Sequence, residues 1–385
     1  MTDFVFETTP KLVCEAGAAA RLGEMAKALG IRRALIVTDA GLVAAGLLEP
    51  VQAGFAAAGS ACVLFSDVLA DPPEASVALA VQAARDAEAD GVIGFGGGGV
   101  RWTPRSWSPC WPARRRTCRT STASALPRGP RLPLIQVPTT AGTGSEVTPI
   151  AIVTTPTSEK KGVVSSLLYP DLAVLDARLT LGLPPRVTAM TGIDAMVHAI
   201  EAYTTRHKKN PLSDSLALRA LSLLGANIRT VIEDGRNVAA RAAMLQGSLL
   251  AGIAFANAPV GAVHALAYPL GGHFHVPHGL SNALVLLPVL EFNRPAAETL
   301  YAELAPAILP GRSFATPAEA AVGFIGAMRD LVAAMPMEQR LEEVGVRRED
   351  LPMLAADAMK VQRLLINNPR EVSYDDALAI YGQAY

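Results

Sequence analysis

Net charge, cysteine and aromatic side chains are all scarce in this chain. Its 34 basic and 35 acidic residues nearly cancel, which removes any general electrostatic pull toward nucleic acid or acidic lipid and leaves a small molecule as the expected partner. The four cysteines, Cys14, Cys62, Cys110 and Cys118, form no metal-type cluster along the sequence and are too few to staple 385 residues, so reduced thiols are expected. The opening MTDFVFETTPKL shows neither a basic stretch leading into an apolar run nor a small-residue cleavage site, and a cytoplasmic protein is the expectation. From Ala242 to Leu290 there is no Asp, Glu, Lys or Arg. That run nevertheless contains His264, His273, His275 and His278 with Gln246, Asn257, Pro259, Pro269 and Pro277, which hydrocarbon would penalise. It reads as a buried helical core around a polar site, not as a membrane span.

What is present is apolar material: half of the 385 residues, enough for two cores, and two domains are the natural division at this length. The first half alternates β-rich runs with amphipathic stretches: Ala34 to Thr38, then Leu42 to Ala58; Ala61 to Ser66, then Ala75 to Ala89; then Gly91 to Phe95. This is the rhythm of a parallel α/β sheet. Further strand candidates are Leu132 to Val137, Gly162 to Ser165 and Leu172 to Asp176. After Leu181 the texture turns to long Ala- and Leu-rich stretches of helical spacing. With LGLPP at Leu181 to Pro184 as the break, the expected organisation is an α/β domain over 1–180 and an all-α domain over 181–385.

In TGIDAMVHAIEAY, Asp194 and His198 stand at i and i+4, so a helix projects both from one face. Alone, the pair is as well explained by a solvated or capping role. The segment GAVHALAYPLGGHFHVPHG adds His264 and His278, fourteen residues apart in apolar surroundings and separated by Pro and Gly turns. One carboxylate and three neutral imidazoles suit iron(II) or zinc and leave a positive site able to polarise an alkoxide oxygen. The competing reading makes each His a hydrogen-bonded core residue. After the strand GVIGF, Gly96, Gly97 and Gly98 let backbone approach a pyrophosphate; a flexible turn is the plainer reading.

TGIDAMVHAIEAY, GAVHALAYPLGGHFHVPHG and PTTAGTGSEVT resemble the signature blocks of the iron-containing alcohol dehydrogenase family, and the likeness runs from the strand ending in Asp39 to INNPREVSYDD. The resemblance implies an N-terminal dinucleotide-binding, Rossmann-like domain and a C-terminal helical metal-binding domain. It further implies NAD-linked interconversion of a small alcohol and its aldehyde or ketone, in a homodimer or higher oligomer. By position the family's metal ligands fall on Asp194, His198, His264 and His278. The cofactor contacts fall on Gly96, Gly97 and Gly98; on Asp39, toward the ribose hydroxyls; on Thr139, Thr140 and Ser145; and on Lys161. Asp39 reads equally as a helix N-cap, and the Thr and Ser as turn residues. Many members carry a second His four residues after the third ligand, where this chain has Tyr268. A phenol with an unperturbed pKa of about 10 is a poor base near neutrality but still passes a proton or hydrogen bond. The relay is therefore assigned to Tyr268 beside His278, with His273 and His275 as neighbours better suited to surface or packing roles. Alternatives within the superfamily are a maleylacetate or hydroxyacid/oxoacid reductase and a dehydroquinate synthase-like lyase, although no extra basic residue for a phosphorylated substrate stands beside the ligands in sequence.

One stretch does not belong. Val100 to Pro127 has no acidic residue, four prolines and all three tryptophans of the chain, where the family has GGGS and an Asp-containing helix. Prolines at 104, 109 and 112 would each cost a helix interior about 3 kcal/mol. If Gly99 to Ser106 is encoded GGA GTT CGA TGG ACA CCG CGA AGC, reading from the last base of the first codon yields Ser-Ser-Met-Asp-Thr-Ala-Lys, the missing motif. Arg119 to Ala125, shifted alike, can spell Asp-Ile-Tyr-Gly-Ile-Gly. The hypothesis is two compensating frameshifts bracketing the stretch; DNA lacking such shifted codons would sink it. If the written residues are genuine, the expectation is a catalytically impaired protein with weak or no NAD binding.

Overall fold

The computed structural model describes residues 3–69, 73–97, 131–154 and 160–385; Gly98, Cys110, Cys118 and the whole of 100–127 lie outside them. The chain forms two units, one of Thr8–Thr140 with Ser145–Thr180 and one of Met1–Glu7, Ala141–Gly144 and Leu181–Tyr385.

In the first unit the strands are β1 (Leu12–Cys14), β2 (Arg33–Val37), β3 (Ala61–Phe65), β4 (Gly91–Gly96), β5 (Leu134–Pro138), β6 (Ile150–Thr154), β7 (Lys160–Val164) and β8 (Leu172–Leu175). Six of them make a parallel sheet in the order β1-β8-β5-β4-β2-β3. Its helices are α1 (Leu22–Ala28), α2 (Ala40–Ala44), α3 (Glu49–Ala57) and α4 (Glu74–Asp86). Alternate side chains along a strand face opposite ways, and both faces are covered here. Ala34, Ile36, Ile93, Phe95, Ile135 and Val137 join Leu22, Val51 and Phe55 in one core. Leu35, Val37, Val92 and Leu134 join Ala80 and Ala84 in another. That two-sided burial explains why these strands read as unbroken apolar runs.

Two local expectations change. Leu42 to Ala58 is not one helix, because Gly46 takes φ +72° between α2 and α3 and Pro50 sits in the first turn of α3, where its missing N–H costs nothing. The strand expected at Gly162 to Ser165 is real but pairs antiparallel with β6 in a separate two-stranded sheet.

The second unit is helical: α5 (Pro185–Thr204), α6 (Pro211–Glu233), α7 (Val238–Asn257), α8 (Ala262–Phe274), α9 (His278–Ile308), α10 (Pro317–Ala333), α11 (Leu351–Ala358), α12 (Gln362–Leu365) and α13 (Tyr374–Ala384). Helix α5 packs against α6, α7 and α9 and is buried almost throughout from Thr188 to Thr204, so polar groups on it must find partners inside the unit. Helices α6 and α7 are long and apolar enough to cross a membrane by length and composition. Within the unit, however, Asn237 caps α7 through Ala240 N at 3.0 Å, and two thirds of the apolar window of α7 is buried against protein.

Candidate metal centre

Three helices aim four ligating side chains at one point. Asp194 and His198 come from α5, His264 from the first turn of α8 and His278 from the first residue of α9. One ligand atom from each lies within 4.8 Å of all the others. Asp194, His198 and His264 are buried, while the His278 side chain is 37% exposed and forms the open side. His198 stacks between Phe255 and His264, with ring centroids 4.3 and 4.8 Å away.

The start of α8 is clamped in two ways. Asn368, in the INNPR segment, accepts from Ala262 N and exchanges amide bonds with Asn293, while Asn367 donates to Val260 O at 3.1 Å. Glu201, one further turn along the ligand face of α5, accepts Val263 N at 2.7 Å on one oxygen and meets His264 Nδ1 at 2.5 Å with the other. A carboxylate there satisfies an orphan helix amide and also makes Nδ1 the protonated nitrogen of His264, so that Nε2 is left as a lone-pair donor.

Asn282, one turn into α9, marks where those lone pairs converge. Its amide nitrogen lies 2.5 Å from Asp194 Oδ1 and 3.3 Å from both His264 Nε2 and His278 Nε2. An NH₂ group has two protons for these three acceptors. His198 Nδ1 is buried with no hydrogen-bond partner among the described residues. A surplus of lone pairs and an orphaned buried nitrogen are the signature of a site made for a cation, and the ligand set fits a divalent ion.

The electrostatics agree. Burial pushes the Asp194 carboxyl up, but His198, His278 and His264 together with the Asn282 amide outweigh it and hold it below its ordinary value. Burial drives His198 down to about 3, against the pull of Asp194, so its imidazole is neutral at physiological pH and ready to ligate.

Tyr268, one turn after His264, has its ring 6.2 Å from that of His278. Burial raises its phenol above the ordinary value, only partly opposed by Arg363, so it stays protonated and keeps a proton to donate. Arg363 reaches the phenol oxygen at 3.4 Å. His273 is instead engaged with Asp357 at 2.5 Å, and His275 is exposed in a left-handed conformation at the end of α8. Sequence reasoning missed Glu201, Asn282 and Arg363. Glu201 was visible as the i+7 continuation of Asp194 and His198, whereas Arg363 carried no local signal.

In the sheet unit, Asp39, Gly96, Gly97, Thr139 and Thr140 collect at the carboxyl ends of the neighbouring strands β2, β4 and β5. The strand order reverses between β2 and β4, where open α/β sheets bind ligands. Asp39 caps α2 by accepting Leu42 N at 3.0 Å. Thr139 N donates to Gly96 O at 3.2 Å, and a Cβ on Gly97 would stand 3.5 Å from the Thr140 side chain. Ser145 opens the short turn Ser145–Val147, and Lys161 lies in β7. Within the same PTTAGTGSE turn, Gly142 and Gly144 serve the helical unit: a Cβ on them would come within 2.6 Å of Thr191 on α5 and 2.5 Å of Gly252 Cα on α7.

Comparison with known proteins shows the family. Residues 9–177 match the family described as iron-containing alcohol dehydrogenase, and 188–385 match the Fe-containing alcohol dehydrogenase family, C-terminal. The sulfoacetaldehyde reductase of Bilophila wadsworthia is 39% identical over 381 residues, covering 98% of each chain. A crystal structure of 1,3-propanediol oxidoreductase superposes with a TM-score of 0.94 at 31% identity, covering 100% of both chains. The sulfoacetaldehyde reductase of Bifidobacterium kashiwanohense, solved in complex with NAD+, superposes with a TM-score of 0.88 at 26% identity, covering 100% of this chain and 99% of that one. The chain belongs to the iron-containing alcohol dehydrogenase family and is an oxidoreductase acting on CH–OH groups.

Proposed function

We propose that Asp194, His198, His264 and His278 hold one divalent ion, iron(II) in first place and zinc as the alternative, and that the protein interconverts a short alcohol and its aldehyde with NAD. The observation behind this reading is the convergence of four ligand atoms within 4.8 Å on a largely buried point. When bound, the ion supplies Lewis acidity at the substrate oxygen and NAD the hydride acceptor.

The chain's own residues do the rest. Glu201 fixes the His264 tautomer, and Asn282 steadies Asp194 by donating to its Oδ1. The protonated Tyr268 phenol passes a proton between the site and solvent along the half-exposed His278 side. At the carboxyl ends of β2, β4 and β5, the backbone of Gly96 and Gly97 would hold the pyrophosphate of NAD. Asp39 would accept from the ribose, and Thr139, Thr140, Ser145 and Lys161 would complete the nucleotide contacts. A cytoplasmic homo-oligomer belongs to the same reading, and sedimentation tests the oligomer.

The test is metal analysis of anaerobically purified protein, followed by chelation and re-addition. Chelation should abolish alcohol-dependent NADH formation, and iron(II) or zinc should restore it. Turnover that survives complete metal removal sinks the proposal.

A further inference from the structure

Arg363, on the short helix α12, stands one aromatic ring from the ligand cluster. Its Nη2 is 3.4 Å from the Tyr268 hydroxyl and its guanidinium carbon 5.8 Å from the ring centroid, and the His278 ring stands 6.2 Å from the same ring. Among the described residues Arg363 forms no ion pair, and its side chain is exposed. Among the described residues Arg186, Arg329 and Arg347 of the helical unit are paired with carboxylates, whereas Arg363 shares the unpaired state with other exposed arginines such as Arg219 and Arg312 and differs from them in standing beside Tyr268.

A guanidinium without an ion pair, one ring from the ligand cluster, is an available partner for an anion. The single bond Arg363 makes is long, so most of its five donors stay available in the fork that fits a carboxylate or sulfonate.

Resting on the alcohol dehydrogenase reading above, we propose that Arg363 determines specificity by selecting short substrates that carry an oxyanion group, a sulfonate or carboxylate, beside the reacting C–O. The anion bridges the guanidinium and the metal side of the site, with the Tyr268 hydroxyl as a further donor.

The test compares kcat/KM for 3-hydroxypropionate, 2-hydroxyethanesulfonate and 1-propanol in the metal-loaded enzyme, as wild type and as Arg363→Met and Arg363→Lys. The wild type should favour an anionic alcohol over 1-propanol. Arg363→Met should lower that anionic-to-neutral ratio about 10- to 100-fold, as expected for a lost charge-assisted bond, mainly through KM, and Arg363→Lys should recover part of it. Which anion gains more distinguishes a tetrahedral from a planar group. Calorimetric titration of the metal-loaded protein with ethanesulfonate and propionate reads the same contact without turnover, and binding should be lost in Arg363→Met. An unchanged ratio, anion binding that persists in Arg363→Met, or a weakened NAD affinity in place of the substrate effect overturns the inference and leaves the dehydrogenase reading standing. Failure to turn over any of the three alcohols, in a protein that calorimetry shows to bind both metal and NAD, overturns both.

Discussion

In the helical unit the site consists of side chains: three helices bring one carboxylate and three imidazoles to a point, and Glu201 and Asn282 hold two of them in register. In the sheet unit the candidate nucleotide residues are mostly backbone: glycines and turn residues at the ends of β2, β4 and β5. The first kind tolerates almost no change of residue type, since lone pairs must point at a common centre. The second depends on the chain being able to turn and approach closely, which many sequences achieve. Damage should therefore act differently in the two places.

The largest effect is expected at the ligands. Asp194→Ala or His264→Ala should lose bound metal and at least about a thousandfold in turnover, read by metal analysis beside kinetics. A variant keeping both would break the side-chain half of the comparison. Next comes the cofactor side: the chain as written should bind NAD weakly or not at all, whereas a version restored to the shifted frame over 100–127 should bind it normally, and equal affinities by calorimetry would refute the contrast. Glu201→Gln keeps an acceptor for Val263 N but removes the charge facing His264, and metal affinity should fall by about 10- to 100-fold in a competitive chelator titration.

The smallest effect is on acid stability of the metal-free protein. His198 is held near 3 when folded against 6.5 ordinarily, so between those values the unfolded chain takes up a proton that the folded one refuses. Stability should fall as the pH drops from about 6.5 toward about 3, with no contribution from this group above that range. Asp194 has a lowered folded value; its stabilisation is present above the ordinary carboxylate range and is also lost in acid. Urea midpoints measured across this range should slope less in His198→Gln, and an unchanged slope would show that the imidazole is not held neutral.

Much of this site was legible along the chain because ligand chemistry restricts residue type and helices impose their period. Asp194 and His198 at i and i+4 carry weight only together with His264 and His278, whose Pro- and Gly-broken segment requires separate elements. The strands were legible because two-sided burial leaves unbroken apolar runs such as ALIV and GVIGF. The break between α2 and α3 was not, since it rests on one left-handed glycine inside an amphipathic stretch. Nor was the dual use of PTTAGTGSE, where Gly142 and Gly144 are demanded by helices α5 and α7.

By itself, then, the sequence pointed to the kind of site and its candidate ligands, because a metal accepts few residue types and local periodicity places them. Only the tertiary structure decided that Glu201 meets His264, that Asn282 sits among three lone pairs, and that Arg363, 95 residues from Tyr268 in the chain, stands beside it with no ion pair among the described residues. Those are distances between elements, and no local pattern encodes the packing that sets them.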